Sequence, residues 1–222
     1  MNFVEYADAE MMAIDVANML AGELENCLLR HDHASFAVPG GSTPGPIFDV
    51  LCAADLEWSR VHVTLTDERW VSLESERSNW GLLRRRLLVN RAAEAVFKPL
   101  YVPGASPEEG AAQVSAELAE EVPLSVLLLG MGGDMHTASL FPGADGLGAA
   151  LSPTAPIVCP IRPQAQEERV TLSAATLDGA MSKHLVITGP DKRAAFEAAR
   201  ALRKEQAPIS AIMTDLTVHW AP

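Results

Sequence analysis

Cysteine is scarce and unpatterned. Cys27, Cys52 and Cys159 are the only three in the chain, an odd, widely spaced set that excludes a disulfide framework and offers no paired-cysteine metal motif. In their apolar surroundings they read as reduced core or near-core thiols, which implies a cytoplasmic setting. Basic residues are also few: 17 lysines and arginines face 29 aspartates and glutamates, a net charge of −12. That balance opposes nonspecific binding to nucleic acid or to an anionic membrane surface. It does not oppose a small anionic substrate, because a few cations and backbone N–H groups can reverse the potential inside a cleft. No apolar run is long enough to cross a bilayer, and the opening MNFVEYADAEMM lacks a basic start followed by an apolar export segment. Internal repeats, low-complexity stretches and a linker are absent too, so residues 1–222 are expected to form a single domain, as a monomer or small homo-oligomer.

What is present is an alternation of helical and strand patterns. Ala9 to Leu29 carries Val16, Leu20, Leu24, Cys27 and Leu28 near helical spacing, and Phe36 to Val38 follows as a strand. Helices are expected over Pro44 to Ala54, Asn79 to Asn90, Pro107 to Glu121 with Ser106 as N-cap, and Asp191 to Arg203. Strands are expected at Val61 to Leu65, Leu100 to Val102, Ser125 to Leu129, Ile157 to Ile161, Arg169 to Leu172, Leu185 to Thr188, Ile209 to Met213 and Leu216 to Trp220. The pattern predicts an α/β fold: a doubly wound, mainly parallel sheet with helices on both faces and antiparallel additions near the C-terminus.

Three polar segments follow predicted strands. The run LLLGMGGDMHTASLFPG, Leu127 to Gly143, ends an apolar strand in a glycine-rich turn that sets Asp134 beside His136, with Thr137 to Leu140 able to begin a helix. A histidine there suits general acid or base work, although a hydrogen-bonded structural histidine fits the segment equally well. A dinucleotide fingerprint would use Gly130 and Gly132 but meets Met135 at its third glycine. Metal binding fits poorly, since no second ligand cluster of recognisable spacing accompanies Asp134 and His136. After the first predicted strand comes Pro39-Gly40-Gly41-Ser42-Thr43-Pro44, either an anion-binding turn at a helix start or an ordinary turn capped by Ser42 or Thr43. It is no Walker loop, because the lysine-serine/threonine pair is missing. After Val61 to Leu65, Thr66-Asp67-Glu68-Arg69-Trp70 offers a guanidinium for phosphate, unless Arg69 merely pairs with Glu68. Three polar loops after three strands would meet at one edge of a parallel sheet. The basic triplet Arg84 to Arg86 reads as a solvated helix face.

VPGGSTPGPIFDVL, VHVTLTDERWV with SNWGLLRRRLL, LLLGMGGDMHTASLFPG, RVTLSAATL and ITGPDKRAAFEAA occur in the order seen in the 6-phosphogluconolactonase family. The resemblance covers most of the chain. It implies a sugar-phosphate isomerase-like α/β fold and a cytoplasmic hydrolase of the oxidative pentose phosphate pathway. The substrate would be a small phosphorylated sugar lactone, 6-phospho-D-glucono-1,5-lactone, with no metal or organic cofactor. It further implies His136 as general base with Asp134 as its orienter and Asp67 as a third catalytic candidate. Gly40, Gly41, Ser42, Thr43 and Arg69 would hold phosphate, joined by Arg169 and Lys192, whose ordinary alternative is a surface ion pair. The family usually carries Asp-Gly-His where this chain has Asp134-Met135-His136; if that position has positive φ, methionine is disfavoured there by roughly 1 to 2 kcal/mol. The related amino-sugar phosphate deaminases share GGSTP, but Arg69-Trp70 and the glutamate-free TASLFPG segment weigh against them. A noncatalytic sugar-phosphate-binding regulator is a further alternative, disfavoured because the segment before Phe36 is too short for a DNA-binding module.

Overall fold

In the computed structural model, which describes residues 1–222, ten strands and seven α-helices follow one another along the chain. In order they are β1 (Asn2–Glu5), α1 (Ala9–Leu28), β2 (Ala34–Val38), α2 (Gly45–Leu51), β3 (Val61–Leu65), β4 (Asp67–Arg69), α3 (Asn79–Arg86) and β5 (Val96–Lys98). Then come α4 (Pro107–Glu117), β6 (Val126–Gly130), α5 (Leu147–Ala150), β7 (Val158–Ile161), β8 (Arg169–Leu172), α6 (Ala174–Asp178), β9 (Ser182–Thr188), α7 (Pro190–Ala199) and β10 (Leu216–Ala221). Seven strands form one sheet in the order β1-β10-β9-β6-β2-β3-β5, and every pairing within it is parallel. The chain runs outward from β2 through β3 to β5, returns to β6 on the other side of β2, and runs outward again through β9 to β10. That reversal makes the gap between the carboxyl ends of β2 and β6 the topological switch point, where such sheets hold ligands.

The central strands are apolar because both faces are covered. All five residues of β2 are buried, as are Val126, Leu127, Leu128 and Leu129 of β6. Truncating one of these leucines to alanine is expected to cost about 2–5 kcal/mol, so the strand that delivers the glycine-rich turn is firmly anchored. Helix α1 starts where the Asp8 carboxylate accepts from the Met11 N–H, and it buries Met12, Val16, Leu20, Leu24 and Leu28 along one stripe. Helix α4 starts at Ser106 with a reciprocal capping box to Glu109. The buried apolar residues make one contiguous cluster.

Several elements differ from the sequence reading. The edge strand is Val96–Lys98, not Leu100 to Val102, although Leu100 is buried. Ile209 to Met213 is not a strand: Pro208–Ile212 is a 3₁₀ turn, since proline starts turns and lacks a ladder donor, and Ile209 and Ile212 bury their side chains from it. Thr137 to Leu140 does not start a helix; Ala138 is left-handed at φ 49° and the segment closes as a tight bridged turn. The antiparallel strands lie elsewhere than near the C-terminus. β4, β8 and β7 form a separate three-stranded antiparallel sheet, whereas β10 joins the main sheet in parallel.

Candidate active site

The three polar loops meet. A cleft of about 260 Å³ lies over the carboxyl ends of the central strands, lined by Gly40 to Thr43, Asp67, Arg69, Asn79, Gly132, His136, Arg169 and Lys192 among others. Of the candidate catalytic and phosphate-binding residues only Asp134 is not on its wall; it is hydrogen-bonded to the His136 ring.

The turn after β2 is built for close approach. Gly41 has φ 88°, and a Cβ on Gly40 would fall 2.0 Å from Asn79 Oδ1, so glycine is what admits the Asn79 side chain. Neither Ser42 nor Thr43 caps α2, whose N-cap is Pro44 without a side-chain hydrogen bond. The expected hydroxyl cap is therefore not made. The N–H groups of Gly41, Ser42 and Thr43 donate to no group of the protein and lie in residues that line the cleft, the arrangement that receives an anion.

The turn from β3 into β4 separates Asp67 from Glu68. The Glu68 carboxylate is fully buried and accepts from the N–H groups of Arg69 and Asn79, both at 2.8 Å, from Trp80 N–H at 3.0 Å and from Ser78 Oγ at 2.7 Å. Burial pushes its pKa up from the ordinary carboxylate value, while these four donors pull the other way. Glu68 thus fixes the start of α3 and does not pair with the Arg69 side chain. The Arg69 guanidinium instead donates to the Arg77 carbonyl, and its Nε is buried with no partner. Asp67 accepts from Ser139 Oγ at 2.6 Å and from Thr66 Oγ1 at 3.2 Å. Arg169 is no surface residue: it is buried, 3.8 Å from the Asp67 carboxylate, 5.0 Å over the Phe141 ring, and its Nε also lacks a partner. Burial lowers the Arg169 pKa from its ordinary value. Two guanidiniums with unsatisfied N–H groups, together with Lys192 near the start of α7, give this cleft of an acidic protein its positive lining.

Beyond β6 the backbone doubles back. Gly132 N–H donates to the His136 carbonyl and Met135 N–H to the Gly132 carbonyl, both at 3.0 Å, while Ile209 N–H holds the Met135 carbonyl at 3.2 Å. His136 Nδ1 is hydrogen-bonded to the Asp134 carboxylate, and the ring stands 4.2 Å from that of Phe141. With Nδ1 committed to the carboxylate, the tautomer assigned from this bond leaves Nε2 as an acceptor. Met135 has φ 66°, the left-handed conformation that favours glycine. Gly132 is glycine for another reason: a Cβ there would lie 2.2 Å from His136 Cε1 and 2.6 Å from Asp134 Oδ1. One cleft residue and one buried residue behind its wall were missed from sequence. Asn79 read only as part of a helix start, and Ser139, which links Asp67 to Arg169 through bonds of 2.6 and 3.4 Å, had no signal beyond its place in the motif.

A doubly wound parallel sheet whose strand ends gather a cationic, N–H-rich cradle beside a carboxylate-oriented histidine defines an α/β enzyme of small phosphorylated substrates. Comparison with known proteins narrows this. The model of the glucosamine-6-phosphate isomerase/6-phosphogluconolactonase family matches residues 7–220. A 6-phosphogluconolactonase of Pseudomonas aeruginosa is 40% identical over 222 residues, covering 98% of this chain and 93% of the relative. One of Mesorhizobium japonicum is 40% identical over 228 residues, covering 100% and 95%. The crystal structure of a 6-phosphogluconolactonase from Shewanella baltica superposes with a TM-score of 0.96 at 31% identity, over 100% of this chain and 98% of that one. The chain belongs to the glucosamine-6-phosphate isomerase/6-phosphogluconolactonase family.

Proposed function

We propose that this protein hydrolyses 6-phospho-D-glucono-1,5-lactone to 6-phospho-D-gluconate in the oxidative pentose phosphate pathway, with His136 as general base. The observation that carries the proposal is the shared cleft, in which a histidine oriented by Asp134 faces the same space as Arg69, Arg169, Lys192 and the N–H groups of Gly41 to Thr43.

A lactone carbonyl is already electrophilic, so the protein needs to position a water, take its proton and stabilise the developing oxyanion. His136 Nε2 removes a proton from water as its oxygen attacks C1. The tetrahedral intermediate then collapses with cleavage of the bond from C1 to the ring oxygen, and the imidazolium returns the proton to that oxygen, which becomes the C5 hydroxyl. Asp134 holds the ring and favours its charged form during the transfer. Asp67, tied to Ser139 and close to Arg169, orders the wall of the cleft that His136 also lines. The arginines and the glycine-rich turn hold phosphate through charge-assisted hydrogen bonds. No step calls for a metal or organic cofactor. The protein acts as one domain, monomer or small homo-oligomer, in the cytoplasm; in the structure no helix is long and apolar enough to cross a membrane.

The test is hydrolysis of freshly generated 6-phosphogluconolactone by purified protein at constant pH, measured against spontaneous loss. Enzyme-dependent acid release supports the proposal. Ammonia and fructose 6-phosphate produced from glucosamine 6-phosphate, without lactone hydrolysis, would replace it by the isomerising deaminase activity of the same family.

A further inference from the structure

At the opposite end of the sheet a second cluster of chemistry-bearing side chains comes together from three distant segments. His33 precedes β2, His62 lies near the amino end of β3, and Glu121 is in the turn before β6. Because β6, β2 and β3 are neighbours in the sheet, the three side chains converge beneath the strands whose carboxyl ends carry the cleft. A strand of five residues spans about 17 Å, so the cluster is separate from the proposed active site.

We infer that His33, His62 and Glu121 form a binding site for a divalent transition-metal cation of the zinc class. One atom from each side chain lies within 4.8 Å of the others. The His62 Nδ1 to Glu121 Oε1 distance is 2.8 Å and the His33 Nε2 to Glu121 Oε2 distance is 3.2 Å. A tetrahedral zinc with bonds of about 2.0–2.2 Å needs its donor atoms roughly 3.3 Å apart, so the two histidine-to-carboxylate distances are near that value and the full set, within 4.8 Å, has to draw in on the ion. The two imidazoles are stacked at 4.3 Å with an angle of 16° between their planes, and each brings one nitrogen to the Glu121 carboxylate. Glu121 supplies the independent indication of a ligand: it is 5% exposed, yet its Oε2 makes no hydrogen bond. A buried carboxylate oxygen that accepts no hydrogen bond is costly, and a cation held between it and His33 Nε2, 3.2 Å away, would satisfy it.

Lys98 approaches the other oxygen, Oε1, at 3.3 Å. Its ammonium offsets part of the carboxylate charge and competes with a cation, but the side chain is about one third exposed and can swing into solvent. Two imidazoles and one carboxylate suit zinc, nickel, cobalt or copper and disfavour magnesium, which prefers an all-oxygen shell. His33 and His62 are partly exposed, so solvent can complete the coordination. A cation held there would staple the amino ends of three adjacent strands and stabilise the folded chain by mass action, without taking part in the cleft chemistry.

The test is calorimetric titration of chelator-treated protein with zinc chloride, joined by thermal unfolding with and without zinc. We expect one equivalent of zinc bound, a higher Tm with zinc but not with magnesium, and tetrahedral d–d absorption when cobalt is used instead. His33→Ala and His62→Ala should each weaken binding by at least about tenfold while leaving lactone hydrolysis unchanged, and Glu121→Gln should do the same. His33 is exposed enough for its variant to fold even if loss of Glu121 is not tolerated. His136→Ala should keep the equivalent. Absence of zinc binding in the unaltered protein would overturn the inference. So would binding that survives removal of both His33 and His62, or that disappears with His136→Ala, since the ion would then belong to the cleft or to no built site.

Discussion

Gly132→Ala is the substitution that most sharply separates geometry from folding. Gly132 does not use the left-handed region, so alanine fits its backbone, and the loss of chain entropy in the unfolded state even favours the variant slightly. The added methyl carbon, however, would lie 2.2 Å from His136 Cε1 and 2.3 Å from Nδ1, where ordinary contact begins at 3.4 Å. The ring must therefore retreat by about 1 Å, and Asp134 Oδ1, 2.6 Å from the same point, must give way with it, a displacement that typically costs on the order of a hundredfold in rate. We expect kcat on the phosphorylated lactone to fall by about two decades, with the denaturation midpoint nearly unchanged. KM should change little, because the proposed phosphate cradle lies on other loops. Stopped-assay kinetics beside urea denaturation of the same preparations decide the matter. A folded variant retaining kcat within twofold would show that catalysis does not depend on where this imidazole stands.

Three further outcomes are expected. His136→Ala should lower kcat by about two to four decades with folding intact, and near-native turnover by a folded variant would remove His136 from the mechanism. Met135→Gly relieves the left-handed strain at φ 66° but loses a partly buried thioether side chain; these offset, and kcat/KM should change by less than about tenfold, equivalent to roughly 1.4 kcal/mol, so a larger change either way contradicts a neutral replacement. His219 lies fully buried in a hydrogen-bonded chain from Asp15 through Tyr6, His219 and His184 to Glu23. Burial, with the neighbouring His184 adding to it, pulls the His219 pKa down to about 4. The folded state disfavours the proton that the unfolded chain accepts below about pH 6.5, so stability is full above that pH. It is lost as pH falls toward about 4, by roughly 3 kcal/mol. Denaturation of the protein and of His219→Asn between pH 7 and pH 4.5 should show the steeper loss in the unaltered protein, and parallel curves would rule the explanation out.

Much of the site was readable because strand, glycine and polar loop come in a fixed order along the chain, and parallel topology forces such loops to one edge. Gly40 to Thr43, Arg69 and His136 could be placed by that argument alone. The burial of Arg169 could not: it depends on β8 pairing with β4, a contact between distant segments, so only the family resemblance pointed Arg169 to phosphate, and a surface ion pair was its ordinary alternative. The same limit hid the hydrogen bonds that Ser139 Oγ donates to the Asp67 carboxylate and Asn79 Nδ2 to the Asp67 carbonyl. Met135 shows the converse, since its positive φ follows from the tight turn that Gly132 and His136 impose. The misplaced elements are short. Three-residue β5 and the 3₁₀ turn at Pro208–Ile212 carry too few residues for periodicity to settle, and tertiary packing decides what they become. The cluster of His33, His62 and Glu121 has no sequence signature because neighbouring strands, and not sequence spacing, assemble it.

The central claim, that a phosphate cradle and a histidine base act across one cleft on a phosphorylated lactone, is tested most directly by comparing two substrates. Steady-state hydrolysis of 6-phosphogluconolactone and of unphosphorylated gluconolactone should be measured with the same protein, and again with Arg69→Ala and Arg169→Ala. A strong preference for the phosphorylated lactone is expected, shrinking in both variants as each loses charge-assisted hydrogen bonds to phosphate. Equal specificity constants for the two lactones in the unaltered protein would contradict it.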